Sequence, residues 1–146
     1  MKRLYFHAIL ALVFSACNDN SLIIDDTSVG PLMQTTRVFE LPQLFPGDSL
    51  AGRRIEGDSL TGEVELYDAQ GKMRMIIFPK DETAPTSELS YARIIDPNFT
   101  TKNWIGPGST FGTLKNNLEV NGLDNAIHAV VVSFTSPPWN VTLEQK

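Results

Sequence analysis

Two serines occupy identical settings in the chain, in Gly47-Asp48-Ser49-Leu50 and again in Gly57-Asp58-Ser59-Leu60. A serine hydroxyl attacks an acyl carbon only when a base, usually a histidine oriented by a carboxylate, lies within hydrogen-bond reach. Beyond the N-terminal segment the one histidine is His128, and the acid nearest before it is Asp124. Gly-Asp-Ser also favours tight turns. The alternative interpretation of the repeat is therefore two turns that bracket a short strand at residues 53–55.

The tetrapeptide resembles the signature of the GDSL serine esterases, in which a distant Asp-x-x-His supplies the base. Asp124 and His128 stand at Asp-x-x-x-His spacing, and that family's α/β fold needs a longer chain with more helices. We expect no enzyme and rank the esterase third among the functions considered. The Asp-Ser-Leu tripeptides also resemble O-glycosylation acceptors of exported Bacteroidetes proteins, which makes Ser49 and Ser59 candidate modification sites.

The remaining metal-binding and acidic side chains predict neither a metal site nor a catalytic pair. A transition-metal site needs three or four convergent ligands, and the chain has one cysteine and two histidines, so we expect no metal and no cofactor. Glu63 and Glu65 would lie roughly 7 Å apart on one strand face, a separation that suits an inverting glycosidase. Their alternation with Val64 and Leu66 favours a solvated face instead.

The two tryptophans, Trp104 and Trp139, are candidate binding residues. Aromatic faces suit sugars and protein partners alike. Tryptophans at such positions also serve to cap a hydrophobic core, and the sequence leaves these alternatives open.

The first seventeen residues have the pattern of an export signal. Lys2 and Arg3 precede an apolar run, Leu4–Phe14, which ends in Ser15-Ala16-Cys17. This run is too short for a membrane-spanning helix, which needs about 20 residues, but it suits a secretory signal peptide. Val13-Phe14-Ser15-Ala16-Cys17 resembles a bacterial lipobox. The resemblance implies cleavage between Ala16 and Cys17, with diacylglycerol attached to the Cys17 thiol.

A lipidated Cys17 would make membrane lipid a partner of the chain. Two or three acyl chains anchor a protein stably, since each buried CH₂ contributes about 0.8 kcal/mol. The alternative is an ordinary signal peptide followed by an incidental free thiol. Residue 18 is Asn and not the Asp that retains some lipoproteins in the inner membrane. We therefore expect the protein to be anchored in the outer membrane of a Gram-negative bacterium, with its domain on either the periplasmic or the outer side.

Composition excludes several classes of protein. The chain has 146 residues, 42% of them hydrophobic, and a net charge of −5, which becomes −7 once Lys2 and Arg3 are removed with the signal. An acidic surface of this kind repels nucleic acid and anionic lipid, so no nucleic-acid partner is expected. A single cysteine excludes a disulfide scaffold.

A second resemblance lies in the segment Gly106-Pro107-Gly108-Ser109-Thr110-Phe111-Gly112-Thr113-Leu114-Lys115. It is similar to the G-x-G-S-T-x-x-x-L-K stretch of small, mostly uncharacterised Bacteroidetes-type lipoproteins. That resemblance implies a strand that leads into a helix, and it supplies no catalytic residues. The resemblance extends back to Phe99, and the chain departs from it with Asn103-Trp104 where glycine is frequent and with Pro107 where valine is frequent.

The chain divides into a signal peptide at 1–16, a lipidated and flexible tether at 17–35, and one compact domain at 36–146. Alternation predicts a hairpin from Glu63–Tyr67 and Lys72–Phe78, a central strand at Leu89–Ile95, and a closing hairpin from Ile127–Phe134 and Trp139–Glu144. Phe111, Leu114 and Leu118 predict one amphipathic helix at about 110–118, with Ser109 as its N-cap. The expected fold class is α+β, mostly antiparallel sheet with this helix packed on it.

These observations favour a lipid-anchored envelope module that is not an enzyme and that binds an envelope protein or has a structural role. The alternative is a glycan-binding accessory lipoprotein that uses Trp104 or Trp139.

Overall fold

The computed structural model describes residues 22–55, 57, 59–126, 129–134 and 140–144. Nine strands and two short α-helices follow one another along these residues, with a 3-10 turn at Val38–Glu40. The strands are β1 (Ser28–Val29), β2 (Leu32–Met33), β3 (Ser49–Ile55), β4 (Ser59–Tyr67), β5 (Met73–Pro79), β6 (Leu89–Ile94), β7 (Val120–Ala126), β8 (Ala129–Phe134) and β9 (Asn140–Glu144), and the helices are α1 (Leu41–Leu44) and α2 (Phe111–Asn117).

The strands form antiparallel sheets, so the fold is α+β and rich in sheet, as predicted. The largest sheet has four strands in the order β3-β4-β5-β6, and a second has three in the order β7-β8-β9. β1 and β2 form a small third pair. Each strand of the two larger sheets pairs with its neighbour along the chain, because the connections between them are short.

The predicted hairpin between β4 and β5 is confirmed. Its turn is closed by Asp68, whose Oδ1 accepts hydrogen bonds from the main-chain N–H groups of Gln70 and Lys72, each at 2.9 Å. Gly71 has φ +79° at the end of the turn, a conformation that glycine adopts without a steric penalty.

The Gly-Asp-Ser repeats bracket a strand, as the turn interpretation predicts. Ser49 opens β3 and Ser59 opens β4, and the two strands pair from Ser49↔Tyr67 to Ile55↔Ser59. Gly47 and Gly57 both have positive φ. The bracketed strand covers Ser49–Ile55 and is longer than predicted. Pairing with β4 keeps the chain in strand conformation from the first turn onward.

The core lies against one face of the four-stranded sheet. Leu66 and Met75 lie opposite each other on β4 and β5, and Val64 and Ile77 do the same two register positions away, so alternation directs all four to one face. All four are fully buried. The remaining buried members of this cluster are Ile24, Leu32, Val38, Leu41, Phe45, Leu60, Leu89 and Phe99.

The expected flexible tether is wrong for residues 22–35. Ile24 and Leu32 belong to the core and are 6% and 3% exposed. Ile24 also donates its main-chain N–H to the Thr100 carbonyl at 2.9 Å. The sequence gives no sign of this burial, because the few apolar residues of the segment are scattered among polar ones without periodicity.

β6 was predicted to be central and instead forms an edge of the sheet. It covers Leu89–Ile94, as expected to within one residue, but Tyr91 is 55% exposed. Strand order depends on which strands pair, and apolar residues on both sides of a strand do not determine it.

The helix is present as α2, with a different cap and a narrower buried face than predicted. Thr110 is the N-cap, with its Oγ1 accepting from the Thr113 N–H at 3.2 Å, whereas Ser109 Oγ accepts from the Gly106 N–H. Leu114 is buried, but Phe111 is 41% exposed. β7 was not predicted, because Val120–Ala126 contains a glycine and three Asn or Asp residues, which are depleted in strands. The closing hairpin is confirmed as the antiparallel pair β8 and β9.

Candidate functional site

The sequence-predicted site residues fall into two groups. Ala16, Cys17, His128 and Trp139 lie outside the described residues, whereas Ser49, Ser59 and Trp104 lie within them. Trp104 and the two serines lie in different parts of the fold, in a turn and at the starts of β3 and β4.

Trp104 lies in a tight turn that Thr101 holds closed. The Thr101 N–H donates to the Ile105 carbonyl at 2.8 Å, and the Trp104 N–H donates to the Thr101 carbonyl at 2.9 Å. Thr101 Oγ1 accepts from the N–H groups of Asn103 and Ile105. Ile105 and Phe99 are buried on either side. The turn is therefore fixed by its own hydrogen bonds and by two core contacts.

The indole of Trp104 projects from this turn into solvent. Its side chain is 83% exposed, the highest value among the exposed large hydrophobic residues. Its φ is +61°, and no other non-glycine residue of the described chain has a positive φ. A bulky side chain in the left-handed region is a steric outlier, and such conformations cluster at functional sites. The alternative in which Trp104 caps the core is therefore wrong.

A small pocket of about 150 Å³ is lined in part by Asn103 and Ile105, the chain neighbours of this tryptophan. The N-terminal segment forms one wall, because Ile23 pairs in parallel with Thr100. Lys102 Nζ lies 3.7 Å from Asp25 Oδ2 across the pocket, with both side chains at least half exposed, so this ion pair is weak. The pocket is lined by Ile24, Asp25, Asp26, Thr101, Lys102, Asn103, Ile105 and Leu118.

A larger groove of about 480 Å³ lies between residues 38–45 and the β3–β4 hairpin. Its floor is apolar, because Val38, Phe45 and Leu60 are buried. Asp48 and Ser59 lie on its polar side, so both Gly-Asp-Ser-Leu repeats contribute to one cavity. The full lining is Val38, Phe39, Pro42, Phe45, Gly47, Asp48, Leu50, Arg54, Ser59 and Leu60.

The carboxylate of Asp48 has a structural partner. Arg74 Nη1 donates to Asp48 Oδ2, and Arg74 Nε lies 3.5 Å from Asp96 Oδ2. The Arg74 guanidinium also lies 5.1 Å from the Phe99 ring centroid. Asp96 is buried, so this cation compensates two carboxylates at the end of the sheet. Neither carboxylate is free to orient a catalytic base.

Glu63 and Glu65 do share a strand face, but Glu65 has a local partner. The Tyr67 hydroxyl donates to Glu65 Oε2 at 2.7 Å. That hydrogen bond, with burial and the Glu65 charge in smaller parts, raises the pKa of Tyr67. Glu63 is exposed. The arrangement matches the solvated face that the alternation favoured.

One exposed cluster was missed from the sequence. Tyr91 stacks on Phe78 with ring centroids 4.4 Å apart and planes 14° apart. The Arg93 guanidinium lies 5.7 Å from the centroid of the same Phe78 ring. The alternation of β5 and β6 could have placed these residues on the outer face of each strand. The register Phe78↔Tyr91, which brings them together, is not visible in either strand alone.

Comparison of the chain with protein-family models, curated proteins and solved structures gives no match. Over the described ranges, no helix is long and apolar enough to cross a membrane. The same residues contain no cluster of three or more histidine, cysteine or acidic side chains that could hold a metal ion.

Proposed function

We propose that this protein is an exported lipoprotein whose folded part is a non-enzymatic module that binds an envelope partner. Cleavage between Ala16 and Cys17 and acylation of Cys17 would anchor it in the outer membrane. The anchoring rests on the lipobox resemblance. The binding role rests on one observation, the exposed Trp104 at φ +61° on a turn held by hydrogen bonds.

The energetics of Trp104 support a contact role. A left-handed conformation costs an L-residue roughly 1–2 kcal/mol, and an indole in water gains nothing from burial to offset this cost. A bound partner would provide that burial, since tryptophan removes roughly 150–250 Å² from water and is enriched among residues that dominate binding energy.

Crosslinking in native membranes followed by affinity purification tests the binding role. The wild type and the control Phe111→Asn, which changes an exposed aromatic elsewhere, should yield a stoichiometric partner, and Trp104→Asn should lose it. Asparagine tolerates positive φ, so this variant keeps the turn. Equal recovery of the partner by Trp104→Asn would refute the proposed contact.

Membrane flotation tests the anchoring. The wild type should float with membranes and incorporate labelled fatty acid, whereas Cys17→Ser should remain soluble and unlabelled. A Cys17→Ser variant that still floats with membranes would disprove anchoring through this thiol.

A glycan is the second candidate for the bound partner, and the pocket beside Trp104 favours it. Sugars present an apolar ring face and hydroxyl groups. Trp104 supplies an aromatic face, while Asp25, Asp26 and Asn103, which line the pocket, supply hydrogen-bond acceptors and an amide donor. Trp139 is the other tryptophan proposed for this role, and it lies outside the described residues.

Glycan-array binding distinguishes the two tryptophans. If the pocket holds a sugar, Trp104→Asn and Asn103→Ala should each abolish the signal without lowering the melting temperature, and Trp139→Ala should retain it. Loss of signal on Trp139→Ala alone would assign the site to Trp139. No glycan signal from the wild type would leave the protein partner as the proposal.

Ser49 is the better of the two proposed O-glycosylation acceptors. Its side chain is exposed at the start of β3, whereas Ser59 is half-buried at the groove. The intact mass of the exported protein should fall by one glycan in Ser49→Ala and stay unchanged in Ser59→Ala. A mass that matches the unmodified chain in the wild type would exclude both.

A further inference from the structure

The face of the four-stranded sheet that points away from the core carries a distinct pattern of side chains. The core residues of β4 and β5 point inward, so the residues that alternate with them point outward. The strand register continues this face onto β6, through Ile76↔Arg93 and Phe78↔Tyr91. The central residues of this outer sheet face are Glu63, Glu65, Ile76, Phe78, Tyr91 and Arg93.

The outer sheet face has an apolar middle with opposite charges on either side. Ile76 and Phe78 lie on β5 and are half-buried, with Glu63 and Glu65 on β4 to one side and Arg93 on β6 to the other. Among the described residues, neither these glutamates nor Arg93 forms an ion pair. The charges lie on strands whose backbones are about 10 Å apart, so they do not neutralise one another within one copy of the chain.

The register of the sheet places these charges symmetrically about β5. Glu65 pairs with Ile76, and Ile76 pairs with Arg93, so the three residues form one row across β4, β5 and β6. A twofold axis that runs along β5, in front of the outer sheet face, exchanges the positions above β4 and β6. A second copy related by this axis would place its Arg93 opposite Glu65 of the first copy, and its Glu65 opposite Arg93. Ile76 would then face Ile76, as in any interface that lies on a twofold axis.

The dimensions of the outer sheet face suit a weak dimer. Its four strands, about 4.8 Å apart with about 3.3 Å per residue, give it a footprint of roughly 300–400 Å² per copy. Specific interfaces at this end of the range are weak. Packed sheets lie about 10 Å apart, so a glutamate on one sheet and an arginine on the other are long enough to meet. The apolar residues of β5 would form the centre of the interface and the charges its rim.

We propose that the outer sheet face is the interface of a twofold-symmetric dimer of this chain, in which Arg93 of each copy pairs with Glu65 of the other. The observation that selects a second copy is the charge complementarity of the face with itself, because one symmetry operation satisfies both charges at once. Closing the interface removes water from around the two pairs and strengthens them. The proposal does not depend on Trp104 or on lipidation.

Sedimentation equilibrium on residues 17–146 with Cys17→Ser, so that no acyl chain is present, measures the self-association. The chain should show a monomer–dimer equilibrium between micromolar and millimolar concentration. Arg93→Glu should raise the dimer dissociation constant by about 100-fold or more, because two pairs are lost and each contributes at least about tenfold. Lys115→Glu makes the same change in net charge on α2, outside the outer sheet face, and should leave the dissociation constant nearly unchanged.

Mixing two charge-reversed variants gives the sharpest test. Arg93→Glu carries two acidic residues in the row, and Glu65→Arg carries two basic ones, so each variant repels its own copies and should be monomeric. A mixture of the two should form a heterodimer, because both pairs are restored between unlike copies. Circular dichroism of each variant confirms that it is folded before mixing.

Thiol crosslinking locates the axis without changing a charge. Cys17 is the one cysteine of the chain, so Ile76→Cys in the Cys17→Ser background carries a single thiol. A short bismaleimide should link it to its own copy across the axis. Ala51→Cys lies in the same row on β3, two strands from the axis, and should not be linked.

Three results would each overturn the proposal: a wild-type chain that stays monomeric to millimolar concentration, no heterodimer from two folded charge-reversed variants, or equal crosslinking of the two cysteine variants. Trp104→Asn should leave the dimer unchanged, which separates this face from the contact proposed above.

Discussion

Trp104 combines a backbone conformation that favours glycine with a large side chain that is mostly exposed. Its φ of +61° is costly for a bulky residue, and its 83% exposure leaves almost no packing to lose. We expect Trp104→Asn to leave the free energy of unfolding unchanged or to raise it by up to about 1 kcal/mol, because asparagine tolerates the left-handed region. Thermal unfolding monitored by circular dichroism measures this. A clear loss of stability would mean that the indole packs against the fold and is structural.

The hydrogen bond from Tyr67 to Glu65 makes a prediction about alkaline pH. It favours the protonated phenol and so raises the pKa of Tyr67. Its contribution to stability is therefore present below the ordinary tyrosine value of about 10 and is lost as the pH rises through the raised pKa. In a chain that begins at Leu22, and so lacks Tyr5, and that carries Tyr91→Phe, phenolate absorbance should report Tyr67 above its ordinary pKa.

Glu65→Ala should return the pKa of Tyr67 toward the ordinary value, because it removes both the acceptor and the nearby charge. Glu63→Ala, two residues away on the same strand face, is the matched control and should have a smaller effect. Equal effects of the two substitutions would show that the Tyr67 hydroxyl does not depend on Glu65.

Only part of the candidate site could be predicted at the level of single residues. Trp104 was identified as a binding or core-capping residue, and the choice between these depended on exposure, which the sequence does not contain. Tyr91 and Arg93 were missed because their relation to Phe78 arises from strand register. The Gly-Asp-Ser repeats could be assigned to turns because turn preference is a local property of the chain.

At the scale of elements, two glycines near α2 should respond oppositely to alanine. A Cβ at Gly106 would lie 2.2 Å from the Phe99 carbonyl oxygen, a backbone atom next to a buried ring. We expect Gly106→Ala to lower the free energy of unfolding by about 1–3 kcal/mol, as overpacking does. At Gly112, inside α2, the nearest atom to such a Cβ is Thr110 Oγ1 at 3.8 Å. Gly112→Ala should stabilise by up to about 1 kcal/mol through helix propensity.

Urea unfolding of the two alanine variants checks this pair. Destabilisation by both would indicate that α2 also approaches another element at Gly112. No effect of Gly106→Ala would mean that the backbone at Phe99 yields to the added methyl group, and that the turn carrying Trp104 is less rigid than its hydrogen bonds indicate.

Elements that depend on local pattern were predicted well. The β4–β5 hairpin combines alternation with an Asp-x-x-Gly turn. The β8–β9 hairpin combines a β-branched run and an alternating segment with prolines between them. β7 was not predicted because its sequence, Val-Asn-Gly-Leu-Asp-Asn-Ala, has low strand propensity. Hydrogen bonding to β8 stabilises the extended conformation that the local sequence does not favour. The edge position of β6 follows from which strands pair, which is a property of the whole sheet.

For the whole molecule, the folded part of residues 17–35 changes the expected distance between the domain and the membrane. The expected tether covered residues 17–35, but residues from Leu22 onward belong to the folded unit, with Ile24 in its core. If Cys17 is acylated, residues 17–21 span at most about 18 Å when fully extended. The proposed partner would then contact the domain close to the lipid surface.

Truncation tests whether residues 22–35 act as part of the fold or as a tether. A chain that begins at Thr36 loses Ile24 and Leu32, and burial of two such side chains contributes about 3–6 kcal/mol. It also loses the hydrogen bonds that join Leu22 and Ile24 to Thr100. Because a domain of this size is stable by only about 5–15 kcal/mol, this truncation should lower the melting temperature steeply or prevent folding.

A chain that begins at Leu22 keeps those contacts and should melt at the same temperature as one that begins at Cys17. The decisive comparison is between the starts at Leu22 and Thr36, because both lack the lipid and differ only in the segment in question. Equal melting temperatures for these two would return residues 22–35 to the role of a tether and place the binding surfaces farther from the membrane. A large difference would show that the folded unit begins within a few residues of Cys17. In that case, Gly-Ser residues inserted after Ser21 should move the domain away from the lipid and change which envelope partners can be crosslinked. The melting temperature should stay the same.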